Sequence, residues 1–407
     1  MAGVLIVGAG QAGASAAIAL RQRGFTGPVT LVGAEPDPPY ERPPLSKEYL
    51  AGEKAADRLL LRPPAFWEDR GVTLRTGVTI GAIDVRNRRA TATSGEDFGY
   101  DRLIWAAGGQ ARRLACPGGP LAHVIRTRAD VDALRAALAD APRIVIVGGG
   151  YIGLEAAAVL AKLGHAVTVV EALPRLLARV AGPEVSDWYL ALHRSHGVDV
   201  RLGTGVVAIE GDERPAAVRL DGGERLAADL VIAGIGLVPE VEALRAAGAD
   251  CPNGVRVDSR CRTSLPGISA IGDCALHPNP FAGGAEVRLE SVQNASDMAK
   301  CAAAEILGGD GAPPYRALPW FWSNQYDAKL QTVGLSAGAD ARVVRGDPAS
   351  GSWSLVYLRA GAVIALDCIN APRDYMGGRG LVERSVSVPP ERLADPSVPL
   401  KALGEAA

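Results

Sequence analysis

A six-residue glycine turn occurs twice in this chain, as Gly8-Ala9-Gly10-Gln11-Ala12-Gly13 and as Gly148-Gly149-Gly150-Tyr151-Ile152-Gly153, 140 residues apart. Each copy follows a short apolar run, Val4–Val7 and Ile144–Val147, and each opens an alanine-rich stretch with helical spacing. The pattern is strand, turn, helix. In such a unit the glycines permit a tight turn, close approach of backbone to a pyrophosphate, and close packing of helix on strand, with the phosphates at the positive end of the helix. One such turn alone is often only a packed corner. Here each copy is followed by an acidic residue where the next strand should end, Glu35 after Val29–Val32 and Glu171 after Val167–Val170. A carboxylate there can accept hydrogen bonds from the hydroxyls of an adenosine ribose. The pair therefore predicts two dinucleotide sites on two α/β units.

A chain of 407 residues should divide into two or three domains, because single hydrophobic cores stop growing well below that length. The net charge of −2 predicts neither a nucleic-acid-binding surface nor attachment to anionic membranes. The 19 uncharged residues Ala2–Leu20 resemble a signal or membrane segment only superficially, since the motif glycines interrupt them and no basic segment precedes them. The expectation is a soluble, cytoplasmic protein. Six cysteines, at 116, 251, 261, 274, 301 and 368, form no CxxC, no CxxxxC and no Cys-His cluster. That spacing argues against a dithiol motif, an iron–sulfur site or a zinc site, and each cysteine reads as a small buried hydrophobe.

The first unit reads as strand Val4–Val7, helix 14–23, strand Val29–Val32 and a Pro-rich loop over 35–44 that cannot be regular structure. A further strand at 103–107 ends in Gly108-Gly109, and residues 111–128 form a linker. The second unit begins with a helix at 129–138, then strand 144–147, helix 151–163 capped by Gly164, and strand 167–170. Its strand Leu230–Ala233 exits through Gly234-Ile235-Gly236, as the first unit exits through Gly108-Gly109. The segment around strand 268–271 and helix 291–307 has no nucleotide turn and is expected to complete the first sheet. From Pro319 the pattern changes to alternating strands, including 354–358 and 362–368. The expected architecture is two Rossmann-like domains, 1–110 with 238–318 and 111–237, followed by an α+β domain over 319–407.

At this point the chain resembles the two-dinucleotide-fold flavoprotein reductases and, within them, the ferredoxin reductases of the putidaredoxin reductase type. The resemblance is carried by the glycine turns, by Tyr40-Glu41-Arg42-Pro43-Pro44-Leu45-Ser46-Lys47, and by 233–239. Gly272-Asp273-Cys274-Ala275, 290–294 and Pro319-Trp320-Phe321-Trp322-Ser323-Asn324-Gln325-Tyr326 carry it further, all in family order. It implies that the first Rossmann unit holds FAD, the second holds NADH, and the tail covers the flavin. Gly8, Gly10, Ala12 and Gly13 would then meet the FAD pyrophosphate, Glu35 the ribose, Ile80 the adenine and Asp273 the ribityl chain. Arg42, Lys47, Arg126, Val292 and Trp320 would line the flavin, with Lys47 near its reactive edge. Gly148, Gly150, Tyr151, Ile152, Gly153 and Glu171 would bind NADH, with Gly236 behind the nicotinamide. One departure is Ala106-Ala107-Gly108, where the family carries Ala-Thr-Gly, so a hydroxyl contact is missing.

Several of these residues also have plainer readings. Lys47 could be a solvated loop lysine and Glu155 a surface carboxylate on a helix. A buried Lys47–Glu155 pair would be costly unless well hydrogen-bonded, so its presence would point to function. Asp273 could cap a following helix, and Trp320 and Trp322 could be core aromatics. Glu171 favours NADH, since a carboxylate repels a 2'-phosphate; Arg175, expected on a helix starting after Pro174, argues the other way. Arg86, Arg88, Arg89, Arg112 and Arg113 read as solvated faces, with one such patch available to dock an acidic partner.

The implied activity is conversion of a hydride from NADH into single electrons for a 2Fe-2S ferredoxin, bound transiently and itself acidic, that feeds a monooxygenase or dioxygenase. Lys47 and Glu155 are the candidate catalytic residues, FAD and NADH the cofactors, and a monomer or weak dimer the expected state. Disulfide reductases and peroxidases of this fold need cysteine after residue 35, and this chain has none before Cys116. A rubredoxin reductase and a signalling protein resembling apoptosis-inducing factor are the rival readings.

Overall fold

The computed structural model describes residues 3–139 and 142–405, and residues 1, 2, 140, 141, 406 and 407 lie outside the description. The chain forms two compact units. One comprises Met1–Glu41, Ala56–Gln110 and Val238–Pro319, the other Arg42–Ala55, Ala111–Leu237 and Trp320–Ala407.

The first unit is built on a five-stranded parallel sheet ordered 268–270, 102–105, 4–7, 29–32, 72–75. Four of the strands are near-continuous apolar runs buried on both faces, as a sheet covered by helices requires, whereas the edge strand 72–75 buries only Val72. Strand Ile268–Ala270 pairs with Arg102–Trp105, so the late segment does complete the first sheet. Helices Gln11–Gln22 and Val292–Gly308 pack together against it, through alanines that let their backbones approach. The first of these begins at Gln11 rather than Ala14, because Gly10 is its extended N-cap and Gly13 lies inside its first turn. Gly272-Asp273-Cys274 is a single 3-10 turn leading into strand Ala275–Pro278. A strand follows it directly, and the next α-helix, Val292–Gly308, has Ser291 as its N-cap, so Asp273 is not the helix cap that the sequence suggested.

The second unit repeats the parallel plan, with strands ordered 199–202, 166–171, 143–147, 230–233. Helix Arg128–Leu138 starts with a capping box between Thr127 and Asp130, and helix Tyr151–Lys162 starts directly at the glycine turn. The helix expected after Pro174 begins instead at Pro183, behind Gly182, since Pro at the first helical position is preorganised there. Arg175 therefore lies in the preceding loop. The tail forms a five-stranded antiparallel sheet ordered 320–325, 328–334, 362–369, 352–359, 341–347, followed by helix Pro372–Glu383. The Pro-rich segment does contain one regular piece, the 3-10 turn Pro43–Ser46, whose two prolines occupy its first positions.

In each parallel sheet the strand entering the glycine turn is central, with the next strand of its own unit on one side and a later strand on the other. This is the crossover point at which open α/β sheets bind ligands beyond the carboxyl ends of their strands.

Candidate functional site: two nucleotide cradles and a buried ion pair

The two glycine turns have matching geometry. Gly8 and Gly148 have φ of +109° and +110°, and a Cβ on either would lie 2.2 Å from the Ala106 carbonyl oxygen or 2.4 Å from that of Gly234. Gly13 and Gly153 sit one helical turn on, where a Cβ would come within 1.9 Å and 2.2 Å of the carbonyl oxygens of Gly8 and Gly148. Only glycine fits at these four positions. Gly150 has nothing within 4 Å of its absent side chain, and Ile152 beside it is 42% exposed. A strand end, an open backbone and the first N–H groups of a helix give each turn the geometry in which a diphosphate can be held.

The first unit adds a second helix end to its cradle. A Cβ on Gly272 would touch Ala12 and Ala295, so the first turns of helices 11–22 and 292–308 converge beside Asp273. Val292 opens the latter helix behind Ser291, whose hydroxyl accepts from the Asn294 N–H. Glu35 stands at the end of strand 29–32 and accepts from the Tyr40 hydroxyl. Ile80 is buried in the core of this unit, at the start of strand Ile80–Asp84.

In the second unit the Glu171 carboxylate accepts from the backbone N–H of Gly149 at 2.6 Å and of Leu173 at 2.7 Å. It is thereby fixed against the glycine turn, with lone pairs left for a ribose. Arg175 points elsewhere, its guanidinium donating to the carbonyls of Ala178 and Ala181 and to the Ser186 hydroxyl. Gly236 has φ of +101° and open space where a side chain would be.

The same unit contains the charged centre. Pro43–Ser46 presents Ser46 and Lys47 to helix 151–162, and Lys47 Nζ lies 2.6 Å from Glu155 Oε2. Glu155 is 2% exposed and Lys47 12%. Bare burial of such a pair would cost more than its attraction returns, unless the remaining lone pairs are filled. Here two of the remaining three are filled: Ser46 donates to the same oxygen at 2.6 Å, and Ser323, from the first tail strand, donates to Oε1 at 2.7 Å. Arg42, on the same turn, donates to the Arg126 carbonyl at 2.5 Å. Trp320 and Trp322 lie with ring centroids 5.6 Å apart, and Phe321 packs on Tyr151 at 4.7 Å. Lys47, Glu155, Arg42, Arg126, Trp320 and the whole set from Gly148 to Gly236 thus fall in one unit, while Gly8, Gly10, Ala12, Gly13, Glu35, Ile80, Asp273 and Val292 fall in the other.

Sequence reasoning passed over Ser46, Ser323, Gln325 and His193. The first three sit inside the two most distinctive blocks, which was a signal; His193 carries none, being an isolated histidine on helix Pro183–Ser195. It also passed over Cys261 and Cys301, whose thiols interact electrostatically. The Cys301 thiol, and then burial, push the Cys261 thiol well above the usual range.

Comparison with known proteins bears on the chain as a whole. Residues 2–299 match the pyridine nucleotide-disulphide oxidoreductase family, and residues 320–404 match the reductase C-terminal family. This chain belongs to the pyridine nucleotide-disulphide oxidoreductases. It is 58% identical to the 5,5'-dehydrodivanillate O-demethylase ferredoxin reductase subunit of Sphingobium sp. (strain NBRC 103272 / SYK-6), over 98% of this chain and 97% of that protein. A ferredoxin–NAD(P)(+) reductase of Sphingomonas sp. is 54% identical, over 98% of this chain and 96% of its own length. Among solved structures, the covalent putidaredoxin reductase–putidaredoxin complex matches with a TM-score of 0.95 at 40% identity, covering 100% of this chain and 98% of that one. The fold and the family are those that the glycine turns and the 40–47 and 319–326 blocks implied. Within the family the chain groups with the ferredoxin reductases, FAD-containing oxidoreductases that use a nicotinamide nucleotide.

Proposed function

We propose that this chain passes electrons from NADH, by way of FAD, to a 2Fe-2S ferredoxin serving an oxygenase. The observation that carries this reading is the pairing of two nucleotide cradles with a turn, Pro43–Ser46, that ends in Lys47 and holds no thiol. With no dithiol there to take the electrons, they leave to an external acceptor. FAD, when bound, supplies the ring that takes up a hydride and gives electrons back singly. The chain supplies binding and charge. Gly8, Gly10, Ala12 and Gly13 would hold the FAD diphosphate and Glu35 its ribose, with Ile80, Asp273 and Val292 of the same unit; Arg42, Arg126 and Trp320 are carried over to FAD from the family resemblance. Gly148, Gly150, Tyr151, Ile152, Gly153, Glu171 and Gly236 would hold NADH. The Glu171 carboxylate, already clamped on Gly149 and Leu173, selects a free 2'-hydroxyl, and the commitment of Arg175 to its own loop supports that choice. Lys47, fixed by Glu155, would offer positive charge to the flavin when it is reduced.

In this reading the FAD domain is 1–110 with 238–318, the NADH domain 111–237 and the covering domain 319–407. The protein works in the cytoplasm as a monomer or weak dimer, with an acidic ferredoxin docking transiently on exposed arginines. Among the described residues no helix is long and apolar enough to cross a membrane. The test is stopped-flow mixing of the NADH-reduced holoprotein with 2Fe-2S ferredoxins and, in parallel, a rubredoxin. Acceleration of flavin reoxidation by a 2Fe-2S protein is expected. If rubredoxin alone accelerates it, or nothing does, the acceptor assignment fails.

A further inference from the structure

Ser323, which donates to Glu155, is itself the end of a longer buried chain of hydrogen bonds within the second unit. Ser323 Oγ gives its single proton to Glu155 Oε1 at 2.7 Å, so it must accept from Gln325 Nε2, 3.2 Å away. The Gln325 amide oxygen then faces His193 Nε2 at 2.8 Å, which assigns the imidazole proton to Nε2. His193 Nδ1 is left as an acceptor, and the Tyr326 hydroxyl lies 3.3 Å from it. Every proton in the chain Tyr326, His193, Gln325, Ser323 points the same way, toward the carboxylate. Ser323, Gln325 and His193 are fully buried. Burial, reinforced by the charge of neighbouring His196 and opposed by the Gln325 hydrogen bond, pushes His193 down to about 4, so it stays neutral at neutral pH.

The outer end is held by strain. Tyr326 and Asp327 form the two-residue loop joining strands Trp320–Gln325 and Ala328–Gly334, and Tyr326 has φ of +55°, a conformation that favours glycine or asparagine. The aromatic ring is kept there by stacking on His196, with centroids 3.7 Å apart and planes at 16°.

We propose that Gln325 and His193 are positioning residues of the reductase: through Ser323 they hold the Glu155 carboxylate, and with it the Lys47 ammonium, in a single orientation. The proposal rests on the reading above that Lys47 faces the flavin. A buried polar network that is fully satisfied specifies one arrangement, whereas a broken one leaves Glu155 free to turn toward Ser46 and draw Lys47 with it. Displacement of a charged group by as little as an ångström is enough to slow a reaction strongly.

The test uses the FAD-loaded protein. Nitrogen-15 NMR of labelled histidines should show His193 neutral, with Nε2 protonated and Nδ1 bare; the opposite tautomer reverses the chain and overturns the proposal. In Gln325→Leu and His193→Phe, the limiting rate of flavin reduction by NADH should fall about tenfold while the apparent Kd for NADH stays within about twofold. His193→Gln, whose amide N–H can replace Nε2–H toward Gln325, should recover the rate to within about twofold. Unchanged rates in the first two variants, or a His193→Gln as slow as His193→Phe, overturn the positioning role. If a variant does not hold FAD, Ser323→Ala removes a single oxygen and carries the same expectation. Lys47→Met separates the two readings. A loss of rate there without one in the network variants refutes positioning alone, whereas no loss in Lys47→Met refutes the placement of Lys47 and the proposal with it.

Discussion

Replacing Glu155 with glutamine keeps the shape of the charged centre and removes its charge. Three donors converge on the native carboxylate, Ser46 and Lys47 on Oε2 and Ser323 on Oε1, at 2.6–2.7 Å. A glutamine amide offers one acceptor oxygen and two N–H donors, so at least one of the three must lose its partner. If the amide oxygen faces Ser46 and Lys47, the amide nitrogen meets Ser323, whose oxygen already receives a proton from Gln325. Lys47, only 12% exposed, keeps its charge with no counter-charge. Removing one partner of a buried pair costs about 3–5 kcal/mol, a large part of the roughly 5–15 kcal/mol that holds a domain folded. Guanidinium unfolding of Glu155→Gln, followed by tryptophan fluorescence at saturating FAD, should therefore show a markedly lower midpoint with an unchanged slope. Lys47→Met added to Glu155→Gln should be less harmful than the two single effects summed, by more than about 1 kcal/mol, because it removes the stranded charge. A Glu155→Gln cost below about 1 kcal/mol, or strict additivity, would refute the buried-pair reasoning.

Three further outcomes are expected. Burial pushes His277, in the first unit, down to about 4, so its unfolded form takes up protons first; its contribution is complete above pH 6.5 and is lost as pH falls from there toward 4. In the second unit the matching loss from His193 is opposed by Asp367, which burial pushes up to about 7 and which gains stability over the same fall in pH. Hydrogen exchange should therefore show acid loosening around strand Ala275–Pro278 first, and equal protection there at pH 7 and 4.5 would contradict this. Gly13→Ala forces a Cβ to within 1.9 Å of the Gly8 carbonyl and should lower the melting temperature and FAD retention, whereas Gly150→Ala meets open space and should weaken NADH binding at unchanged melting temperature. The buried Arg345 guanidinium donates to the carbonyls of Leu393, Asp395 and Val398 and pairs with Asp374, so Arg345→Met should expose the chain after residue 389 to limited proteolysis.

Much of the fold is local and was legible as such. Strands 4–7, 29–32 and 230–233 are short apolar runs with polar or glycine boundaries, and they occur where the pattern places them. Errors arose where a terminus depends on its cap. Helix 11–22 starts inside the glycine turn because Gly10 caps it, and helix 183–195 waits for Gly182 and Pro183 instead of following Pro174. The Gly272-Asp273-Cys274 turn resembles a helix cap in one dimension but opens a strand, and the next helix, 292–308, takes Ser291 as its cap.

The two glycine turns were determined by sequence alone, because each is a contest of backbone sterics settled within six residues and its neighbouring strands. The hydrogen-bonded surroundings of the charged centre beside the second turn were not. The Lys47–Glu155 pair joins residues 108 apart, and the Ser323 donor comes from 168 residues further along than Glu155. No local propensity favours those encounters. They form because the 3-10 turn, the helix behind the second glycine turn and the first tail strand are packed into one compact unit, where burial makes an unmatched charge too costly to leave unpaired. Tertiary structure therefore decided that the Lys47–Glu155 pair named from the sequence is buried, and which serine, glutamine and histidine stand behind it.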